Sequence, residues 1–148
     1  MIPVVTPSQM ADIDEEAVEP IEVLIKKAGQ AVAWRARKIL KGTYGKRVII
    51  IVGKGNNGAD GLEAARRLQG WGVKVHTFRS NSIPHNLKDF DLLIDAAVGT
   101  GLKRPYQAPE VSVPILSVDI PSGICGLSGD ALGTPVNADE TITFQALK

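Results

Sequence analysis

Cysteine is almost missing from this sequence: Cys125 stands alone, so no disulfide can form within the chain. Histidine is nearly as scarce, and neither His76 nor His85 has a cysteine or a second histidine at metal-ligand spacing, so both read as structural or solvated. No stretch approaches the roughly 20 consecutive apolar residues of a bilayer-spanning helix, and Met1 to Thr6 lacks a basic region followed by a long apolar run. Charge of one sign is missing too. Seventeen Lys and Arg against 16 Asp and Glu leave a net charge of +1, which removes bulk electrostatics as a means of holding nucleic acid or a membrane surface. There is no internal repeat and no low-complexity segment. What these absences leave is a single compact domain over residues 1–148 in a reducing, cytoplasmic setting, with 44% hydrophobic residues to build one core.

What is present is organised around Val48-Ile49-Ile50-Ile51-Val52-Gly53-Lys54-Gly55-Asn56-Asn57-Gly58-Ala59-Asp60-Gly61-Leu62. Five consecutive β-branched apolar residues cannot all face one side of a pleated strand, so both faces must be covered, as in the centre of a parallel sheet. The turn that follows satisfies G-x-G-x-x-G at Gly53, Gly55 and Gly58 and leads into a helix expected to begin near Gly61. Its glycines permit positive φ and close approach of a ligand, and the helix offers free N–H groups and a positive dipole end to an anion. Upstream, Thr6-Pro7-Ser8-Gln9 has the form of a capping box. Pro20 can open a long helix whose buried stripe is Ile21, Ile25, Ala28, Val32, Ala36 and Ile39, closed by Gly42. Lys26, Lys27, Arg35, Arg37 and Lys38 fall mainly on its solvated side.

Downstream, strands are expected at Val73–Phe78, Leu92–Val98, Ile115–Ile120 and Thr141–Phe144, the first forming a βαβ unit with the organising strand. The stretches from Ser80 to Phe90 and from Leu102 to Val113 are each near the lower limit for a parallel crossover, too short for long helices. One face of the sheet is therefore expected to be thinly covered and open to a partner chain. In an open parallel sheet the carboxyl ends of strands line the ligand crevice, so Asn56, Asn57, Asp60, Asp95, Asp119 and Ser122 should come together. Asp95 and Asp119 end hydrophobic strands, where a carboxylate is costly unless paired, protonated or metal-bound. An acidic residue about 20 positions past the glycine turn, the usual ribose partner, is absent, while Arg79 could meet a 2′-phosphate. Cys125 has no paired histidine and reads as an unreactive thiol. Trp34 and Trp71 read as packing.

Three ordered motifs, Gly53 to Leu62, Asp95-Ala96-Ala97-Val98-Gly99-Thr100-Gly101-Leu102, and Asp119-Ile120-Pro121-Ser122-Gly123, followed by Thr141-Ile142-Thr143-Phe144, resemble the YjeF N-terminal domain family. Ser8-Gln9-Met10, Asp12-Ile13-Asp14 and Lys27-Ala28-Gly29 are similar as well. The resemblance implies an α/β, Rossmann-like three-layer sandwich with a mostly parallel central sheet, here with trimmed crossover helices. It also implies NAD(P)H-hydrate epimerase activity, which interconverts the R and S epimers of hydrated NADH or NADPH for a dehydratase that restores the cofactor. By motif, it places substrate at Asn56, Asn57, Gly58, Ala59 and Asp60, at Gly99, Thr100, Gly101, Leu102, Lys103, Arg104 and Pro105, and at the catalytic Asp119. A potassium ion would be held by Asn57, Asp95 and Ser122. Ala59 stands where the family pattern carries a further glycine, which brings a methyl into the phosphate turn. A homodimer is expected. The competing readings are a catalytically silent scaffold of the same fold and an NADP-binding oxidoreductase fragment, the latter kept alive by Arg79.

Overall fold

The computed structural model describes residues 4, 6–9, 20–99 and 101–144. Near the start of the described residues lies the expected capping box. The Thr6 backbone N–H donates to Gln9 Oε1 at 2.8 Å while the Gln9 N–H donates to Thr6 Oγ1 at 3.3 Å, the reciprocal pairing that starts a helix at Pro7.

Two long helices and one sheet follow. Helix α1 runs Ile21–Leu40 and begins one residue past Pro20, whose carbonyl accepts from Val23 and Leu24. Its end is set by Lys41, which takes the left-handed turn (φ 59°) usually given to glycine. Strand β1 (Arg47–Val52) leads into α2 (Asn56–Gly70), then β2 (Lys74–Arg79), β3 (Leu92–Ala96), β4 (Tyr106–Gln107), β5 (Ile115–Val118), β6 (Gly133–Thr134) and β7 (Glu140–Ile142). The main sheet has the order β2-β1-β3-β5-β7, and every pairing in it is parallel. β4 and β6 form a separate two-residue parallel ribbon that the hydrophobic pattern does not announce.

β1 lies at the centre of the order's reversal and is buried from Val48 to Val52, as its unbroken apolar run requires. Val48, Ile50 and Val52 face the helices. There they join Val32, Ala33 and Ala36 of α1, Ala64, Ala65 and Leu68 of α2, and Ile94, Leu116 and Val118 of the neighbouring strands. Ile49 and Ile51 face the other way, into a second cluster with Leu93, Ala97, Tyr106 and Val136. Each fully buried Val, Leu or Ile among them contributes about 1.5–3 kcal/mol.

The third layer is extended chain rather than helix, because the crossovers are as short as the sequence indicated. That face is nonetheless covered. Phe78, Ile83, Leu87, Phe90, Leu102, Val111 and Val113 fold over the second cluster, and none of them is among the exposed large apolar residues. The expectation of an open face inviting a partner chain is therefore corrected: loops bearing one large apolar residue every few positions do the work of a helix. Trp34 and Trp71 pack on each other with ring centroids 5.0 Å apart, and the Arg37 guanidinium lies over both rings, joining the carboxyl ends of α1 and α2. Arg35 reaches across to Glu140 on β7 and donates to both carboxylate oxygens. No helix among the described residues is long and apolar enough to cross a membrane.

Candidate active site

The order β2-β1-β3 makes the carboxyl ends of β1 and β3 a topological switch point, where loops leave the sheet in opposite directions and open a crevice. A cavity of about 670 Å³ occupies that crevice. Its walls come from the β1–α2 turn (Lys54, Gly55, Asn56, Asn57, Asp60), the end of β3 (Ala97, Val98, Gly99, Gly101), Asp119 after β5, and Phe144 after β7. Ser80 closes the β2 side.

The turn is built by close packing. A Cβ on Gly53 would run into the Ala97 carbonyl oxygen, one on Gly58 into the Gly53 carbonyl oxygen, and one on Gly61 into the Ala96 side chain. None of these glycines has positive φ, so the expectation of a left-handed turn is corrected: they are glycine because α2 and β3 crowd the strand end. The helix also starts earlier than expected, at Asn56 with Gly55 as N-cap, so the motif itself forms its first turn. Gly55 has no side chain to cap that end and no acidic residue lies in the first turn, so the backbone N–H groups and the positive end of the dipole are directed at the cavity. Ala59 is an ordinary helical residue whose N–H reaches the Gly55 carbonyl at 3.3 Å, so its methyl does not strain the turn.

Asp95 is 1% exposed and sits opposite Ser117 in the β3–β5 register. It accepts from the Ser117 hydroxyl at 2.8 Å, the Ser122 N–H at 2.8 Å and the Ser122 hydroxyl at 2.6 Å. Burial pushes its carboxyl above the usual range, opposed by these hydrogen bonds. Ser122 Oγ also accepts from the Val98 N–H at 2.8 Å and lies 3.2 Å from the Val98 carbonyl, so it ties the ends of β3 and β5 together. Asn57 donates through Nδ2 to the Val118 carbonyl at 2.7 Å, which leaves its Oδ1 turned against Gly99. Asp119 is half-buried on the cavity wall with φ 73°, an uncommon conformation for a residue other than glycine, fixed by its N–H to the Ile142 carbonyl at 2.7 Å.

Of the sequence-predicted residues, Asn56, Asn57, Asp60, Gly99, Gly101 and Asp119 line the cavity. Gly58 is buried beneath the turn, Leu102 packs into the second cluster, and Lys103, Arg104 and Pro105 are exposed away from the cavity wall. Thr100 lies outside the described residues. Asp95 and Ser122 are in direct contact just below the cavity, with Asn57 bonded to the adjacent strand end. This donor set suits a monovalent cation: all oxygen, one carboxylate, and no lysine or arginine bonded to Asp95 among the described residues. Arg79 is exposed and does not line the cavity, so the oxidoreductase reading loses its phosphate partner.

The sequence pattern missed one wall. Ile21 and Ile25, taken as core, line the cavity with Leu24, and Lys27, taken as solvated, lines it too. The available signal was Lys27-Ala28-Gly29, where Gly29 lets α1 press onto Glu63 of α2.

Fold and site together define the class: a parallel α/β domain with a helix N-terminus at the switch point of its sheet, a buried carboxylate beneath it and a second carboxylate on the cavity wall. The chain matches the family described as YjeF-related protein N-terminus over residues 21–89 and 76–148, and it belongs to that family. It is 32% identical to the NAD(P)H-hydrate epimerase of Limosilactobacillus fermentum, over 95% of this chain and 84% of that protein. It is 31% identical to the bifunctional NAD(P)H-hydrate repair enzyme Nnr of Thermofilum pendens, over 93% of this chain but only 34% of that longer protein. The crystal structure of yeast ynu0, YNL200c, superposes with a TM-score of 0.79 at 26% identity, over 99% of this chain and 82% of that one.

Proposed function

We propose that this chain is an NAD(P)H-hydrate epimerase, an isomerase that interconverts the R and S epimers of hydrated NADH or NADPH. The observation that carries the reading is the convergence of Asn56, Asn57 and Asp60, of Gly99 and Gly101, and of Asp119 from three strand ends on one cavity, in a chain whose relatives bear that name. The α2 N-terminus, with Lys54 beside it and Lys27 on the α1 wall of the same cavity, supplies positive charge for the nucleotide phosphates. The apolar wall of Ile21, Leu24, Ile25 and Phe144 supplies surface for a ring. Substrate contacts from Ala59 and Thr100, which adjoin the cavity-lining Asp60 and Gly99 in sequence, belong to the same proposal.

In the proposed mechanism the Asp119 carboxyl gives its proton to the ring hydroxyl at carbon 6, the carbon–oxygen bond breaks, and the hydroxyl departs as water. The carboxylate so formed faces the resulting iminium-like ring and stabilises its charge. Water then adds to either face and returns the proton to Asp119, giving both epimers. Asn57, Asp95 and Ser122 would hold a potassium ion, which when bound supplies a fixed positive charge that neutralises Asp95 at the strand ends. We further propose that residues 1–148 form one domain, working in the cytoplasm as a homodimer alongside an NAD(P)H-hydrate dehydratase; that a relative is named a bifunctional NAD(P)H-hydrate repair enzyme supports such a coupling.

The test starts from one purified epimer of hydrated NADPH in ¹⁸O-labelled water with potassium, followed by NMR and mass spectrometry. The proposal expects relaxation to the epimer mixture above the uncatalysed rate, with label in the ring hydroxyl. An unchanged epimer ratio argues for the silent scaffold, and conversion without label removes the water-loss mechanism.

A further inference from the structure

Tyr106 opens β4 and turns its side chain into the loop-covered cluster with Ile49, Ile51, Leu93, Ala97 and Val136, where it is 7% exposed. Its hydroxyl meets no hydrogen-bond partner among the described residues. A buried hydroxyl left so destabilises the fold, a cost that phenylalanine would avoid at the same volume. Asp95 shares that side of the sheet. It lies between Leu93 and Ala97, which belong to the same cluster, and side chains two apart on a strand point the same way. After burial, the Asp95 charge is the second influence raising the Tyr106 phenol's pKa, so the carboxylate's field is felt at the hydroxyl. The region beneath the strand ends thus combines an oxygen without a hydrogen-bond partner, the field of a carboxylate, and donors to that carboxylate that are all neutral among the described residues.

We propose that the Tyr106 hydroxyl is an oxygen ligand for the monovalent cation at Asp95, closing the site from the loop-covered side of the sheet. This rests on the reading that Asp95 holds such an ion, and it adds a residue that the three strand-end motifs do not contain. The phenol oxygen directs a lone pair at the cation, and the ion's charge replaces the missing hydrogen-bond partner.

The chain has two tyrosines, Tyr106 and the 93% exposed Tyr44, so protein labelled with ¹³C at the tyrosine ζ carbon gives two signals. Titration with KCl against choline chloride at matched ionic strength should move the Tyr106 signal, saturably, and leave that of Tyr44 in place. The thermal midpoint should rise with potassium. In Tyr106→Phe the chain should be at least as stable as wild type in choline chloride, yet need at least tenfold more potassium for half of the wild-type rise, whereas Tyr44→Phe behaves as wild type. If wild type rises with potassium but Tyr106→Phe rises equally and neither tyrosine signal moves, the inference falls and the cation reading stands. If wild type shows no potassium-specific rise, both fall.

Discussion

Asp95 shows how a single residue ties the site to stability. Burial raises its carboxyl from an ordinary value of 3.8, so the folded chain binds this proton more tightly than the unfolded chain does. Protonated Asp95 favours the fold, and that contribution is lost as pH rises from the ordinary carboxylate value through the raised one. In choline chloride, wild type should therefore lose stability relative to Asp95→Asn across that window, measured by denaturant titration at a series of pH values. Potassium should reduce the loss. The glycines give a second contrast at this scale. A methyl on Gly58 meets the Gly53 carbonyl oxygen, whereas one on Gly55 meets nothing within 4 Å and its φ of −88° suits any residue. Gly58→Ala should cost about 1–3 kcal/mol or more by overpacking, while Gly55→Ala, which meets no atom and loses only the preference of an N-cap for glycine over alanine, should cost less, about 0.5–1 kcal/mol, both read from unfolding midpoints.

Elements carry the legible part of this protein. The run Val48–Val52 announced a doubly covered central strand because five β-branched residues leave no polar face, and it became the strand where the sheet order reverses. Thr6 and Gln9 announced a capping box because its two side-chain bonds are local, and both form. The β4–β6 ribbon was not legible: two residues per strand carry no periodicity, and their pairing spans Tyr106 to Gly133. The cavity's apolar wall was missed for a different reason. Ile21 and Ile25 lie on the same helical stripe as Val32, and a stripe that faces a core at one end and a cavity at the other has one pattern. The end of α1 offers its own test. Lys41 holds φ 59°, which costs about 1–2 kcal/mol for a residue with a Cβ, so Lys41→Gly should gain about 1 kcal/mol and raise the thermal midpoint by roughly 2–4 °C without altering turnover.

At the scale of the whole molecule the family architecture survives considerable trimming. The alignment with the T. pendens protein extends over 182 positions, more than the 148 residues of this chain, so that relative carries segments inside the matched region that this chain lacks. The trimming coincides with a loop-built third layer, while the three strand ends that form the cavity are kept. A sheet whose loops reach the cavity only at their ends can lose crossover helices and keep its chemistry, provided the loops still cover Ile49, Ile51 and Leu93. The most direct test of that claim is the rate of epimer exchange in hydrated NADPH, measured by NMR for wild type beside Asp119→Asn, since asparagine accepts the left-handed backbone of position 119 but has no proton to give. The account predicts a measurable wild-type rate and a variant that binds substrate, melts at the wild-type temperature and is slower by about 10²–10⁴-fold. Equal rates in the two proteins would contradict it.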